Sequence, residues 1–221
     1  MLQREYRDVA IDLHEVELRG DLRSPPCSKG LVIFAHGSGS SRRSPRNVFV
    51  AESLQEAGFS TLLFDLLTER EDENYETRFD IELLSLRLNG AARWAATQQE
   101  LEAMPVGLFG ASTGAAVALR CAADLPLMVQ AVVSRGGRPD LAASALSRVI
   151  APTLFIVGGA DTLVLKLNEH AMEKMRPEVP RTLEIVPGAT HLFEEPGTLK
   201  AVSRLAAGWF ETHLVSQEQQ L

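Results

Sequence analysis

Cysteine is scarce: only Cys27 and Cys121 occur in 221 residues. Two cysteines cannot build a disulfide framework or a zinc cluster, and their scarcity favours a reducing compartment. No apolar run nears the roughly 20 residues of a membrane span. The opening residues MLQREYRDVA lack the apolar stretch of a secretion signal. Repeats and biased tracts are also absent, which sets aside fibrous and disordered chains. Positive charge is in deficit, with 22 Lys and Arg against 29 Asp and Glu and a net charge of −7. That balance disfavours nucleic acid and anionic membrane as partners. Aromatic residues make up only 6%, yet 45% of the chain is apolar, enough to bury a large core without staples. The expectation is a single cytoplasmic α/β domain over residues 1–221, with an enzyme as the leading class.

Apolar patterning changes once along the chain. Val9, Ile11 and Leu13, then Val16 and Leu18, alternate with polar residues and predict two antiparallel edge strands. After the breaker-rich stretch 24–30, short continuous apolar runs follow at 31–36, 61–67, 106–111, 130–134, 153–161 and 182–188. Such runs belong to parallel strands covered on both faces. Helical spacing lies between them at 47–57, 81–97, 113–123, 164–175 and 199–214. The fold class read from this is α/β, a mostly parallel doubly wound sheet with N-terminal antiparallel strands. About 20 residues separate the strands at Val133 and Phe155, room for one short crossover helix and no large lid. The acidic run 69–76 reads as a solvated loop bordering the site, and the polar tail 216–221 as a frayed end.

The sharpest local signal is Gly110-Ala111-Ser112-Thr113-Gly114, a G-x-S-x-G between a buried strand and an Ala-rich helix. A turn this tight projects the Ser112 hydroxyl outward, and it needs glycine where strand and helix backbones nearly touch. The helix N-terminus sets its positive dipole end under the hydroxyl. A serine hydroxyl is a weak nucleophile and needs a base held by an acid. Asp161 follows the run 153–161 and His191 follows the run 182–188, both at carboxyl ends of strands, where ligand sites gather. Asp161 also suits a helix N-cap, and Asp140 is the reserve acid. The order Ser112, Asp161, His191 is the nucleophile–acid–base order of α/β-hydrolases. A tetrahedral intermediate requires two backbone N–H donors. One is expected from Thr113 and the other from Ser38 in the loop His36-Gly37-Ser38-Gly39-Ser40, with His36 a ring that fixes that loop.

The stretches HGSGS, GASTG, GGAD and ATH, in this order, resemble the α/β-hydrolase superfamily over about residues 5–215. The lidless build and HGSGSSRRSPRN resemble its dienelactone-hydrolase-like branch. That resemblance implies an α/β-hydrolase fold, no cofactor and no metal. Dienelactone hydrolases proper carry cysteine at the elbow, where this chain has Ser112, so the implied activity is general hydrolysis of esters, thioesters or lactones. Cys121, nine residues beyond Ser112, reads as packing.

Arginines flank the same loops: Arg42, Arg43 and Arg46 after the glycine-rich turn, Arg135 and Arg138 after the run 130–134. Arg46 and Arg135 are the candidate substrate-binding residues, gripping a carboxylate or phosphate. The alternative makes them solvated arginines, or pairs Arg135 with Asp65 at a neighbouring strand end. Two functions remain open: a serine hydrolase of small soluble esters, or a non-catalytic binding protein on the same scaffold. Acyl transfer and perhydrolysis would use the same residues. Beyond the ester substrate no partner is implied, and the sequence leaves monomer and dimer open.

Overall fold

The computed structural model describes residues 5–214; the polar tail lies outside the described residues. Strands β1 (Glu5–Asp12) and β2 (Glu17–Ser24) form an antiparallel hairpin in which Val9 faces Gly20 and Ile11 faces Leu18. Their alternation turns Val9, Ile11, Leu18 and Leu22 into the core. Six parallel strands follow: β3 (Leu31–Ala35), β4 (Ser60–Phe64), β5 (Val106–Ala111), β6 (Val129–Arg135), β7 (Thr153–Gly158) and β8 (Arg181–Val186). The sheet order is β1-β2-β4-β3-β5-β6-β7-β8, with β2 antiparallel to β4. From β3 the chain moves outward to β4, then crosses back to β5 on the other side. This reversal falls at the carboxyl ends of β3 and β5, the place where open α/β sheets bind ligands.

Continuous apolar runs are required because each strand feeds two cores. Val32 and Phe34 of β3, Phe109 of β5 and Ile156 of β7 face one side. There they pack with Val50 and Leu54 of α1 (Pro45–Glu56) and with Val202 and Phe210 of α6 (Thr198–His213). Ile33, Leu108, Val132 and Phe155 face the other side, against α3 (Ile81–Ala96), α4 (Thr113–Asp124) and α5 (Thr162–Lys174). Helix α4 crosses the sheet centre and is buried nearly all round, which explains its alanine-rich sequence. Ser44 caps α1 by accepting the Asn47 N–H, and Pro45 at the first helical position needs no N–H partner.

Three local expectations are corrected. The acidic run is not a loop throughout: α2 (Glu69–Asp72) is one helical turn closed by a Thr68/Glu71 capping box. Glu71 pairs with Arg87 at 2.8 Å and Asp72 with Arg78 at 3.0 Å, so these charges are partnered. Between β6 and β7 there is no α-helix but two 3-10 turns, Pro139–Ala142 and Leu146–Arg148, in a stretch broken by Gly136, Gly137, Pro139 and Pro152. Strand β8 is half-exposed because it forms the sheet edge, whereas β3, β4, β5 and β7 are buried throughout. Among the described residues no helix is long and apolar enough to cross a membrane.

Candidate active site

Ser112 stands between the end of β5 and the start of α4 with φ 52° and ψ −120°, a region L-residues avoid at a cost of about 1–3 kcal/mol. Backbone hydrogen bonds hold it there. Its N–H donates to the Arg135 carbonyl at 3.1 Å, and its carbonyl accepts from Ala115 and Arg138 N–H at 3.1 and 3.0 Å. The flanking glycines are sterically required: a Cβ on Gly110 would lie 2.5 Å from Ala115 Cα, and one on Gly114 would lie 2.2 Å from the Ala35 carbonyl oxygen. Strand-to-helix closure therefore dictates this turn, and the turn aims the hydroxyl out of the sheet.

His191 lies on the loop after β8, with its Nε2 3.3 Å from Ser112 Oγ and its Nδ1 2.7 Å from Asp161 Oδ2. The imidazole side chain is 38% exposed and the carboxylate 15%, so the group opens to solvent on the histidine side. Asp161 occupies the N-cap position of α5, yet its side chain makes no capping hydrogen bond and turns to His191 instead. The Ala160 N–H donates to the Ala189 carbonyl at 2.9 Å and ties the two loops together. Asp140, the reserve acid, is gripped by Arg138 through two 2.8 Å hydrogen bonds. A hydroxyl, an imidazole and a carboxylate so ordered can activate the hydroxyl as a nucleophile.

The glycine-rich loop after β3 presses against the same serine: a Cβ on Gly37 would lie 3.2 Å from Ser112 Cβ. His36 fixes this loop. Its ring hydrogen-bonds the Gly37 carbonyl at Nδ1, 3.0 Å, and accepts the Leu66 N–H at Nε2, 3.1 Å. Burial holds the imidazole below its ordinary range, so the ring stays neutral, as that acceptor role demands. The Ser38 amide departs from expectation. Its N–H is not free but donates to Thr113 Oγ1 at 2.8 Å. The Thr113 N–H, at the first position of α4, has no acceptor among the described residues.

The arginines divide into two groups. Arg42 binds Asp65 and lies 3.6 Å from Asp21, which corrects the alternative that paired Asp65 with Arg135. The reason is topological, since β3 and β5 stand between β4 and β6. Arg135 is buried with no carboxylate partner among the described residues. Its guanidinium is 3.4 Å from Asn47 Oδ1 and 5.8 Å from the Phe193 ring, and its Nε has no partner. Burial, assisted by the charge of Arg46, pushes its pKa down to about 10. Arg46 itself donates to Glu194 at 3.1 Å. The Cys121 thiol is buried and its pKa is raised by that burial, which suits packing rather than nucleophilic chemistry.

Three residues of the site escaped the sequence. Glu195 accepts the Thr190 N–H and hydroxyl at 3.1 and 2.6 Å and so braces the His191 loop. Phe193 is buried at φ 56° and packs under Arg135, and Asn47 is that arginine's hydrogen-bond partner. No spacing pattern marks Glu195 or Phe193. Asn47 carried a faint signal, one of two polar residues, with Gln55, on the buried face of α1.

The sequence pattern of the dienelactone hydrolase family matches residues 19–212. Two curated proteins from strains of Mycobacterium tuberculosis are 55% identical over 207 residues, covering 94% of this chain and 46% of theirs. Both are provisionally named phosphoribosyl transferases, and the chain spans about half their length. A crystal structure of a dienelactone hydrolase from Anabaena variabilis is 53% identical, with a TM-score of 0.93 covering 96% of this chain and 99% of that one. An esterase of Pyrococcus furiosus shares the fold at 20% identity, with a TM-score of 0.77 covering 96% of this chain and 93% of its own.

Proposed function

The chain belongs to the dienelactone hydrolase family, and from that premise we propose that it is a serine hydrolase cleaving small carboxylic esters through an acyl-enzyme. The observation that carries this reading is the contiguous path from Ser112 Oγ to His191 Nε2, and from His191 Nδ1 to Asp161 Oδ2, at 3.3 and 2.7 Å. As Ser112 Oγ bonds to the ester carbonyl carbon, its proton passes to His191 Nε2, and the imidazolium is stabilised by Asp161. Collapse expels the alcohol, which takes the proton from His191. Water then attacks the acyl-enzyme with His191 again as base. The oxyanion is received by the unpaired Thr113 N–H, the positive end of α4 adding to its field.

Substrate size follows from the short cover over the site. The crossover between β6 and β7 contributes only two 3-10 turns, and the imidazole is open to solvent. Each methylene left in water forfeits about 0.8 kcal/mol of burial. Acetyl to butyryl esters are therefore expected to outrun dodecanoyl esters, in a panel of chromogenic substrates run beside fluorophosphonate labelling and mass mapping. Faster turnover of the long esters would refute the small-substrate reading. Failure to label Ser112 would refute the mechanism.

Arg135 and Arg46 are proposed to bind an anionic group on the substrate. A guanidinium buried without a carboxylate is costly, and a substrate carboxylate or phosphate would supply the missing charge. A charge-assisted hydrogen bond contributes about 1.5–3 kcal/mol, so an ester bearing a free carboxylate should exceed its neutral isostere by about tenfold to a hundredfold in kcat/KM. In Arg135→Gln and Arg46→Gln that ratio should fall towards one. An unchanged ratio in both variants would exclude these residues from substrate recognition.

A further inference from the structure

The Ser38 N–H has a single proton, and at 2.8 Å it is engaged by Thr113 Oγ1. It therefore reaches no substrate atom directly in this arrangement. Having accepted that bond, the Thr113 hydroxyl must send its own proton elsewhere, and no acceptor is within hydrogen-bond reach among the described residues. Thr113 is only 4% exposed, and the proton of its hydroxyl is left for an acceptor outside the protein. Buried hydroxyls ordinarily find partners.

Resting on the serine-hydrolase reading, we infer that Thr113 gives the oxyanion its side-chain hydroxyl as well as its amide, the Ser38 N–H acting through that hydroxyl. The amide and hydroxyl of one residue are close enough to converge on one atom. Thr113 follows Ser112 directly, and the loop carrying Ser38 touches the serine at Gly37. When Ser112 Oγ bonds to the carbonyl carbon, the π electrons move onto oxygen and the serine proton goes to His191. The new oxyanion then accepts two hydrogen bonds from Thr113, and neither donor gives up its proton. The chain Ser38 N–H to Thr113 O–H to oxyanion polarises in one direction, which strengthens its last bond. His36 contributes at one remove, because its bonds to Gly37 and Leu66 hold the loop that aims Ser38.

Thr113→Val keeps the shape and removes the hydroxyl, while Thr113→Ser keeps the hydroxyl and removes a methyl. With p-nitrophenyl acetate, the Val variant is expected to lose about 10²-fold in kcat with KM within a few-fold, the size of effect seen when one oxyanion donor is removed. Inhibition by phenylboronic acid, whose serine adduct presents a tetrahedral oxyanion, should weaken in parallel. Thr113→Ser should recover most of both losses. Thr113→Val acting at the native rate or faster would overturn the inference, because the freed Ser38 N–H would then be the donor and the hydroxyl only its stopper. Equal losses in the Val and Ser variants, with lowered melting temperatures, would overturn it in favour of packing. Should the Val variant fail to fold, Thr113→Ala against Thr113→Ser gives the same comparison. A native protein that neither hydrolyses the ester nor takes a fluorophosphonate label removes the serine-hydrolase reading itself. If the native protein does both beside an unimpaired Val variant, only the hydroxyl's role falls.

Discussion

Ser112→Ala is expected to lower ester hydrolysis at least about 10³-fold while leaving the melting temperature close to that of the native protein. The argument is local. Ser112 is held at φ 52° by backbone hydrogen bonds to Ala115, Arg135 and Arg138, none of which uses the hydroxyl. Alanine has the same Cβ and accepts the same backbone, so the elbow closes as before. What disappears is the single oxygen 3.3 Å from His191 Nε2. Some rate over water should persist, because His191 remains as a base for direct attack by water and the Thr113 amide remains as a donor. The measurements are kcat on a short chromogenic ester, a melting curve, and the mass of the intact protein after fluorophosphonate treatment. An adduct forming on the alanine variant at the native rate would place the nucleophile elsewhere and remove the mechanism built on Ser112.

The legible parts of the sequence were those where one local rule fixes the answer. Glycines at 110 and 114 could be read because strand and helix backbones leave no room there for a Cβ, a constraint confined to five residues. The two-sided burial of β3, β5 and β7 could be read from unbroken apolar runs. The β6–β7 crossover reads as a helix on length alone, whereas the chain fills it with two 3-10 turns after the paired glycines 136 and 137. The acidic run reads as a loop when its charges alone are weighed; Thr68, just before the run, closes the turn with Glu71 as a capping box, and Arg87 and Arg78 pair with it from further along the chain. The same limit applies within the site. Thr113 and Ser38 were both singled out, but not that one occupies the other's amide, because they are 75 residues apart and meet only when β3 and β5 pair. The mistaken Arg135–Asp65 pair has a similar origin: both end strands on the site side of the sheet, and only the strand order shows that β3 and β5 separate them.

Asp161→Asn is expected to cost on the order of 10⁴ in kcat, with little change in stability. Asp161 accepts a hydrogen bond from the His191 Nδ1–H at 2.7 Å, which leaves the Nε2 lone pair facing Ser112. A carboxylate can only accept at this position and so selects that tautomer. A carboxamide presents its NH₂ to Nδ1 equally well, and the ring then carries its proton on Nε2. Such a ring cannot take the serine proton, although every heavy atom has stayed in place. Stability separates this role from the competing one. Were Asp161 kept for capping α5, asparagine would serve about as well, because the two are near-equivalent N-caps, and activity would survive the change. The Asp161 side chain makes no capping hydrogen bond, so the helix start has little to lose in either variant. Asp140→Asn is the control: it loosens the grip of Arg138 and should leave kcat near native. Measuring kcat and melting temperature on both variants decides the assignment, and a crippled Asp140→Asn beside an active Asp161→Asn would move the acid to the end of β6.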